Sequence, residues 1–173
     1  MRQQFLISVL LVIVLAACIG TSPAQQKAQQ QRDVMNLSKS FAILEQLQVW
    51  DYRNQDWCKN IFYRRGKFSD NIERVTCNLF EGKSQPFDAQ AQRDFRSVDR
   101  AIASTGVKLS FISDIKYAAN GKLIGGEFHL DSGLIRNHYV YSPGYKKLPD
   151  DFPNERWHTA IARDWYYVQE DWN

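Results

Sequence analysis

The sequence predicts an α+β fold in which two helices pack on a largely antiparallel sheet, with a disulfide-pinned hairpin near the N-terminus. Two observations predict the helices and the sheet. Apolar side chains recur every three or four residues in two segments, which is the period of an amphipathic helix. Farther along the chain, apolar and polar side chains alternate in short runs that end at turn-forming pairs. Such short connections favour antiparallel strands, because parallel strands require long crossovers.

The first predicted helix covers residues 33–49, and the second begins at the N-cap Asp88 and ends at Gly106. Asp is a favoured N-cap because its carboxylate accepts a hydrogen bond from a free N–H group of the first turn. Gly is favoured just past a helix end because it adopts positive φ without a steric penalty. The apolar faces consist of Leu37, Phe41, Leu44 and Leu47 in the first helix and of Ala91, Phe95, Val98 and Ile102 in the second.

Three strands are predicted after the second helix, joined by turns at Asn120-Gly121 and Ser132-Gly133. Asn-Gly is the preferred pair of a two-residue hairpin turn. If both turns have two residues, the strand pairing follows and one face of the sheet forms the core. That face comprises Phe111, Ile115, Tyr117, Ile124, Phe128, Leu130, Ile135, Tyr139 and Tyr141. A slip of one residue in the pairing would reverse the faces. Residues 157–171 predict one further hairpin.

The opposite face of this sheet collects charged residues and histidines. In the predicted pairing both Asp114 and His138 lie opposite Glu127, and two carboxylates in such positions repel unless a cation or proton relieves them. Histidines with carboxylates can bind a metal or perform acid–base chemistry. The candidate metal or ligand residues are therefore Asp114, Glu127, His129 and His138. The alternative is an ordinary solvated sheet face. Ser110 lies on this face, but nothing selects it as a nucleophile, so no catalytic residue is predicted.

The first twenty residues have the organisation of an export signal. Arg2 precedes an apolar run from Phe5 to Ala17, which is too short to cross a bilayer. The run ends in Leu15-Ala16-Ala17-Cys18, which resembles the lipobox of bacterial lipoproteins. The resemblance implies that residues 1–17 are a signal peptide and that Cys18 is acylated on its thiol and on its new amine.

The same resemblance implies a protein of the bacterial cell envelope that is anchored by lipid and faces an extracytoplasmic compartment. Ile19, in place of the Asp that favours inner-membrane retention, slightly favours the outer membrane. Residues 18–32 are rich in Gln and contain no aromatic residue, which predicts a flexible tether. Residues 33–173 are long enough for a single α+β domain.

Two cysteines remain after Cys18, and an exported chain meets an oxidising compartment. We therefore expect a disulfide between Cys58 and Cys77, which would contribute on the order of 3 kcal/mol through loop closure. Two free thiols are the alternative. The surrounding segments, residues 57–63 and 74–80, both have the composition of strands and predict a hairpin about residues 64–67. The spacing of the cysteines fits neither a paired zinc site nor a redox motif.

Composition excludes two classes of protein. The hydrophobic share of 44% is too high for a disordered chain, and a formal net charge of +3 is too small for a protein built to hold nucleic acid. Aromatic residues crowd the C-terminus, where they suit an interaction surface or, alternatively, the core of a small domain. The candidate interaction residues are Trp157, Trp165, Tyr167 and Trp172.

The sequence therefore favours a non-enzymatic interaction or assembly module. Its expected partners are the membrane, through the lipid, and an unidentified envelope protein, and no cofactor is expected. The alternative is a small-ligand or metal-binding protein, or a hydrolase, that uses the histidines and carboxylates of the sheet face.

Overall fold

The computed structural model describes residues 22–72, 83–131, 136–144 and 156–170. The helical elements are α1 (Pro23–Leu37), a 3-10 turn (Ser38–Ser40), α2 (Phe41–Leu47) and α3 (Ala89–Ala103). The strands are β1 (Val49–Gln55), β2 (Cys58–Tyr63), β3 (Gly66–Ser69), β4 (Gln85–Pro86), β5 (Leu109–Tyr117), β6 (Leu123–Leu130), β7 (Arg136–Tyr141), β8 (Arg156–Ala162) and β9 (Trp165–Glu170).

The described strands form one sheet in the order β4-β3-β2-β1-β5-β6-β7-β9-β8. All neighbours are antiparallel except β3 and β4, which are parallel. Apolar side chains of the helices and of one sheet face belong to a single core. The α+β class and the largely antiparallel sheet are therefore confirmed, and the helices cover one face of the sheet while the other face remains without a helix among the described residues.

Helix α1 occupies most of the segment that was predicted to be a flexible tether. Ser22 caps it: the Gln25 backbone N–H donates to Ser22 Oγ, and the Ser22 N–H donates to the Gln25 side chain at 2.9 Å. Pro23 stands at the first helical position, where its fixed φ suits a helix and its missing N–H is not needed. Glutamine is a good helix former, so a Gln-rich segment with a cap folds once it has a surface to pack on. The tether prediction is wrong for residues 22–32.

Helix α1 is also attached to the sheet by specific contacts. Val34 and Leu37 are buried in the core, and the Tyr139 hydroxyl donates to the Asp33 carboxylate at 2.8 Å. Nearer the N-terminus, the Gln31 amide donates to the Ile161 carbonyl of β8 at 2.8 Å. None of the helices in the described part of the chain is long and apolar enough to span a membrane. Helix α1 is thus a packed element of the domain.

The pairing of β5 with β6 differs by one residue from the prediction. Phe111 lies opposite His129 and Ser113 lies opposite Glu127. The connection is longer than two residues: it covers residues 118–122 and is closed by a hydrogen bond from the Ala118 N–H to the Lys122 carbonyl. Such a slip moves side chains to the other face. Phe111 therefore lies on the face without helices, and its predicted place in the core is wrong.

A bulge at Asp114 restores the later part of β5 to the predicted face. Asp114 has a φ of 53°, and the pairing shifts between Ser113 and Lys116. Because the bulge adds one residue, Ile112 and Ile115 both face the core. Of the predicted core residues, Ile124 is 46% exposed and Ile135 lies outside the described residues. The others in or against the core are Ile115, Tyr117, Phe128, Leu130, Tyr139 and Tyr141.

The pairing of β6 with β7 is displaced by two residues. Phe128 lies opposite Tyr139, and His129 lies opposite His138. A displacement of two residues keeps every side chain on its predicted face but changes its partner. His138 therefore does not lie opposite Glu127 as predicted.

The predicted N-terminal hairpin has a different return strand. Strand β2 lies between β1 and β3, so both of its edges are already paired, and β3 begins at Gly66 directly after the turn at residues 64–65. The predicted return strand, residues 74–80, lies outside the described residues, and the disulfide-pinned hairpin is not supported. Cys58 is buried and disulfide-bonded. Its pairing with Cys77 stays a prediction.

The register can be tested with two isoleucines. Ile112→Ala is expected to lower the free energy of unfolding by about 2–5 kcal/mol, because it removes a fully buried side chain. Ile124→Ala is expected to change it by less than about 0.5 kcal/mol, because that side chain is on the surface. Chemical denaturation of both variants measures the difference. Equal losses, or a larger loss for Ile124→Ala, would contradict the observed register.

Candidate functional site

Four planar side chains form a stacked row across the face of the sheet that no described helix covers. The row consists of Arg53, Phe111, His129 and His138, and each member lies directly opposite the next on neighbouring strands. The ring centroids of Phe111 and His129 are 3.9 Å apart, and those of His129 and His138 are 4.6 Å apart. The Arg53 guanidinium lies 4.9 Å from the Phe111 ring centre. Cross-strand pairing thus turns residues that are distant in sequence into one continuous stack.

A carboxylate and a hydroxyl lie beside the stacked row. His129 Nε2 is 3.1 Å from the Glu127 carboxylate and 3.1 Å from Ser113 Oγ. Glu127 and His129 share a face because they are two residues apart on β6. Ser113 lies opposite Glu127 on β5. The structure therefore brings together Glu127, His129 and His138, three of the four predicted site residues, and adds Ser113.

The proton on His129 Nε2 decides what this cluster can do. The hydrogen bond from His129 is the largest influence on Glu127 and holds its pKa below the ordinary range, so the carboxylate is ionised. An ionised carboxylate only accepts hydrogen bonds, so Nε2 must carry the proton and donate it. The same nitrogen contacts Ser113, so it cannot also act as the base for that hydroxyl. A catalytic serine would need the carboxylate and the hydroxyl on different ring nitrogens.

Ser110, the hydroxyl noted from the sequence, is engaged elsewhere. Its Oγ donates to the backbone carbonyls of His129 and Leu130 at 3.2 and 3.4 Å. It therefore ties β5 to β6 through the backbone of β6. The arrangement at both serines suits hydrogen bonding in a fixed sheet rather than nucleophilic catalysis.

His138 is the most buried ionisable group of the stacked row. It is only 2% exposed, and burial, followed by the nearby His129, lowers its pKa from 6.5 to about 4. Its Nδ1 atom forms no hydrogen bond with any residue that the structure describes. The charges that act on it from neighbouring positions are Glu127, Glu170 and Arg156, of which the last two form an ion pair. The imidazole is thus neutral at pH 7.

Asp114, the fourth predicted site residue, lies apart from this cluster. Its place in the bulge brings it near Asp51 of β1, and its backbone N–H donates to the Asp51 carboxylate. Burial and then the charge of Asp114 raise the pKa of Asp51 to about 6, and Lys67 opposes the shift. The predicted repulsion between Asp114 and Glu127 is wrong because Ser113 takes the position opposite Glu127.

The predicted metal site finds no geometric support in residues 22–72, 83–131, 136–144 and 156–170. In those ranges, no group of three or more His, Cys, Asp or Glu side chains is arranged to hold a metal ion. The site that remains is a polar cluster of two histidines and one carboxylate, with Ser113 and the Phe111 ring beside it.

Two of the predicted interaction aromatics belong to the core. Trp165 and Tyr167 are buried, because β9 lies between β7 and β8 and these positions face the helices. Trp165 packs against Phe41 at a ring distance of 5.9 Å. Trp157, on the edge strand β8, is 43% exposed. Trp172 lies outside the described residues, and the interaction role of Trp157 and Trp172 stays a prediction.

Sequence reasoning missed three residues of the stacked row and the polar cluster. Ser113 interrupts the run of apolar residues at odd positions, and that interruption was the available signal for the bulge that follows it. Phe111 was assigned to the core by a one-residue error in register. Arg53 lies on a strand that was not predicted, and no local pattern places it beside Phe111.

Comparison with protein-family models, with curated proteins and with solved structures finds no match for this chain.

The burial of His138 predicts a specific response to acid. Because its folded-state pKa lies below the ordinary value, protonation favours the unfolded chain. The stability that neutral His138 contributes is fully present above about pH 6.5 and is lost as the pH falls towards 4. The loss lowers the free energy of unfolding by on the order of 2–3 kcal/mol. We expect the free energy of unfolding to fall more steeply over this window in the wild type than in His138→Gln. If chemical denaturation gave the same pH dependence of the free energy of unfolding for both proteins, the lowered pKa of His138 would be contradicted.

Proposed function

We propose that this protein is a lipid-anchored lipoprotein of the bacterial cell envelope, and that its domain is a non-enzymatic binding module that works at the membrane surface. The observation that carries the proposal is the position of α1. The helix begins at Pro23, five residues after Cys18. Those five residues can span no more than about 17 Å even when fully extended. A lipid on Cys18 would therefore hold the folded domain against the bilayer.

The chemistry of the lipobox supports stable rather than transient anchoring. A single acyl chain binds a membrane only marginally, whereas two or three chains are sufficient for stable attachment. The apolar run before Cys18 supplies the export signal, and Ile19 slightly favours the outer membrane. In the oxidising compartment of such a protein, Cys58 and Cys77 would be paired. The proposed partners are the membrane and an envelope protein.

The geometry of the polar cluster supports a binding role over an enzymatic one. His129 donates its Nε2 proton to an ionised Glu127, so this imidazole is occupied by a charge-assisted hydrogen bond. Side chains held in this way rigidify a sheet face and present fixed hydrogen-bonding groups to a partner. Glu127 keeps about a third of its side chain exposed and is the accessible charge of the cluster.

The alternative function, ligand or metal binding or hydrolysis at the same face, has weaker support. Its best observation is the buried His138 Nδ1, which has no partner among the described residues and could accept or donate one hydrogen bond. The described carboxylates do not converge on that nitrogen as metal ligands. We therefore favour the binding module.

The anchor can be tested by metabolic labelling with a palmitate analogue in a bacterial host. We expect the wild type to carry the label and to partition with the membrane fraction, and Cys18→Ala to lose the label entirely. Ile19→Ala is the matched control, since it alters the adjacent position without removing the thiol, and should stay labelled. An unlabelled wild type, or labelled Cys18→Ala, would contradict lipidation at Cys18.

A further inference from the structure

The two ends of the strands can be told apart by which elements meet there. At the proximal end, β1, β6 and β9 finish and β2, β7 and β8 begin, with the turn at residues 56–57 and residues 70–72 after β3. At the distal end lie the turns at residues 64–65, 118–122 and 163–164 and the residues 142–144 that follow β7. The antiparallel pairing of neighbouring strands fixes this division.

Exposed aromatic and large apolar side chains concentrate at the proximal end. In the described part of the chain, five large hydrophobic side chains are exposed: Met35, Trp57, Ile72, Ile124 and Trp157. Three of them belong to the proximal end, where Trp57 is 44% exposed, Ile72 49% and Trp157 43%. Both exposed tryptophans of the described residues are in this set. The proximal end therefore offers apolar area with polar indole N–H groups.

The distal end differs in that none of the exposed tryptophans of the described residues lies there. The β2–β3 turn carries Arg64 and Arg65, and Arg65 forms an ion pair with Asp88 at 2.9 Å. Lys122, in the turn after β5, forms an ion pair with Glu45 at 2.9 Å. Charged turns of this kind are ordinarily exposed to solvent. The two ends of the strands therefore differ in the side chains that they expose.

Helix α1 begins at the proximal end. Gln25, Gln26 and Gln29 line a cavity that extends from Leu130, the last residue of β6, to Tyr139 and Tyr167 within β7 and β9. The chain then runs towards Phe41, which packs on Tyr141 at the distal end with ring centroids 4.9 Å apart. The chain that leads back to Cys18 therefore leaves the domain at the end where the tryptophans are exposed.

The first half of α1 adds positive charge at this end. Lys27 and Arg32 are exposed, and residues 22–32 contain no Asp or Glu. The free N–H groups of a helix N-terminus also favour anions. Basic residues close to an anchor attract the negatively charged headgroups of lipids.

We propose that the proximal end is a membrane-contact surface, with Trp57 and Trp157 at the level of the lipid headgroups and Lys27 and Arg32 facing anionic lipid. The proposal rests on the proposed function, because the lipid on Cys18 brings this end to the bilayer. Tryptophan is favoured at membrane interfaces since its ring is apolar and its N–H is polar. Trp57 lies in the turn that joins β1 to β2, and β1 and β8 are five places apart in the sheet. Five strand spacings correspond to about 24 Å. Two contacts so far apart would limit tilting of the domain along the line that joins them.

The test uses the complete lipidated protein in vesicles of phosphatidylethanolamine and phosphatidylglycerol that contain lipid brominated near the headgroup. Bromine quenches tryptophan fluorescence only at close range. We expect quenching in the wild type, a smaller quenched fraction in Trp57→Phe and in Trp157→Phe, and at least a twofold reduction in the double variant. Trp50→Phe is the matched control: Trp50 packs against Phe62 near the distal end, so the quenched fraction should not fall.

The same samples separate the two proposals. If the protein carries no fatty-acid label and does not float with the vesicles, both the anchor and the contact surface are wrong. If the wild type is labelled and floats but its tryptophans are not quenched, only the membrane-contact surface is wrong. The proximal end would then be expected to bind a protein partner. Equal quenching in the wild type and the double variant would also overturn the proposal. Lys27→Glu with Arg32→Glu should reduce quenching in these vesicles and leave it unchanged in phosphatidylcholine.

Discussion

The packing of α1 on the sheet is the interaction that determines how the rest of the molecule is placed relative to its N-terminus. Val34 and Leu37 lie in the core, and Asp33 accepts a hydrogen bond from Tyr139 in the middle of the sheet. Because the helix is fixed at these points, residues 23–32 do not act as a flexible tether. A lipid on Cys18 would thus constrain the orientation of the domain as well as its location.

The register between β5 and β6 has a comparable influence on the opposite face. It places Phe111 on His129 and Ser113 beside Glu127, while the bulge at Asp114 returns Ile115 to the core. The same backbone therefore serves the packed face and the polar face. The stacked row crosses the strands within a few residues of the proximal end, so a membrane in contact with that end would lie close to the row.

Much of the fold could be predicted from periodicity. The helical spacing and the Asp88 cap located α3, and alternation located β5, β6 and β7. The failures have separate causes. Composition indicated a tether where Ser22, Pro23 and a docking surface stabilise a helix. The Asn120-Gly121 pair indicated a two-residue turn where a longer loop forms, and this error moved Phe111 to the wrong face.

The candidate site was predicted in part. The period of two was enough to place Glu127, His129 and His138 on one face, because shifts of two residues preserve it. Their partners depended on loop lengths that no local pattern encodes, so the stack with Phe111 and Arg53 could not be foreseen. The burial of Trp165 and Tyr167 depended on β9 lying inside the sheet, which is a long-range property of the topology.

Amide hydrogen exchange in α1 of the lipidated protein tests the central claim most directly. If the domain begins as a packed helix close to the anchor, the amides of residues 27–32 exchange much more slowly than in an unfolded chain, because their hydrogen bonds open only when α1 leaves the sheet. Exchange of these amides at unfolded rates, with protection only from residue 33 onward, would contradict the account and restore a flexible tether.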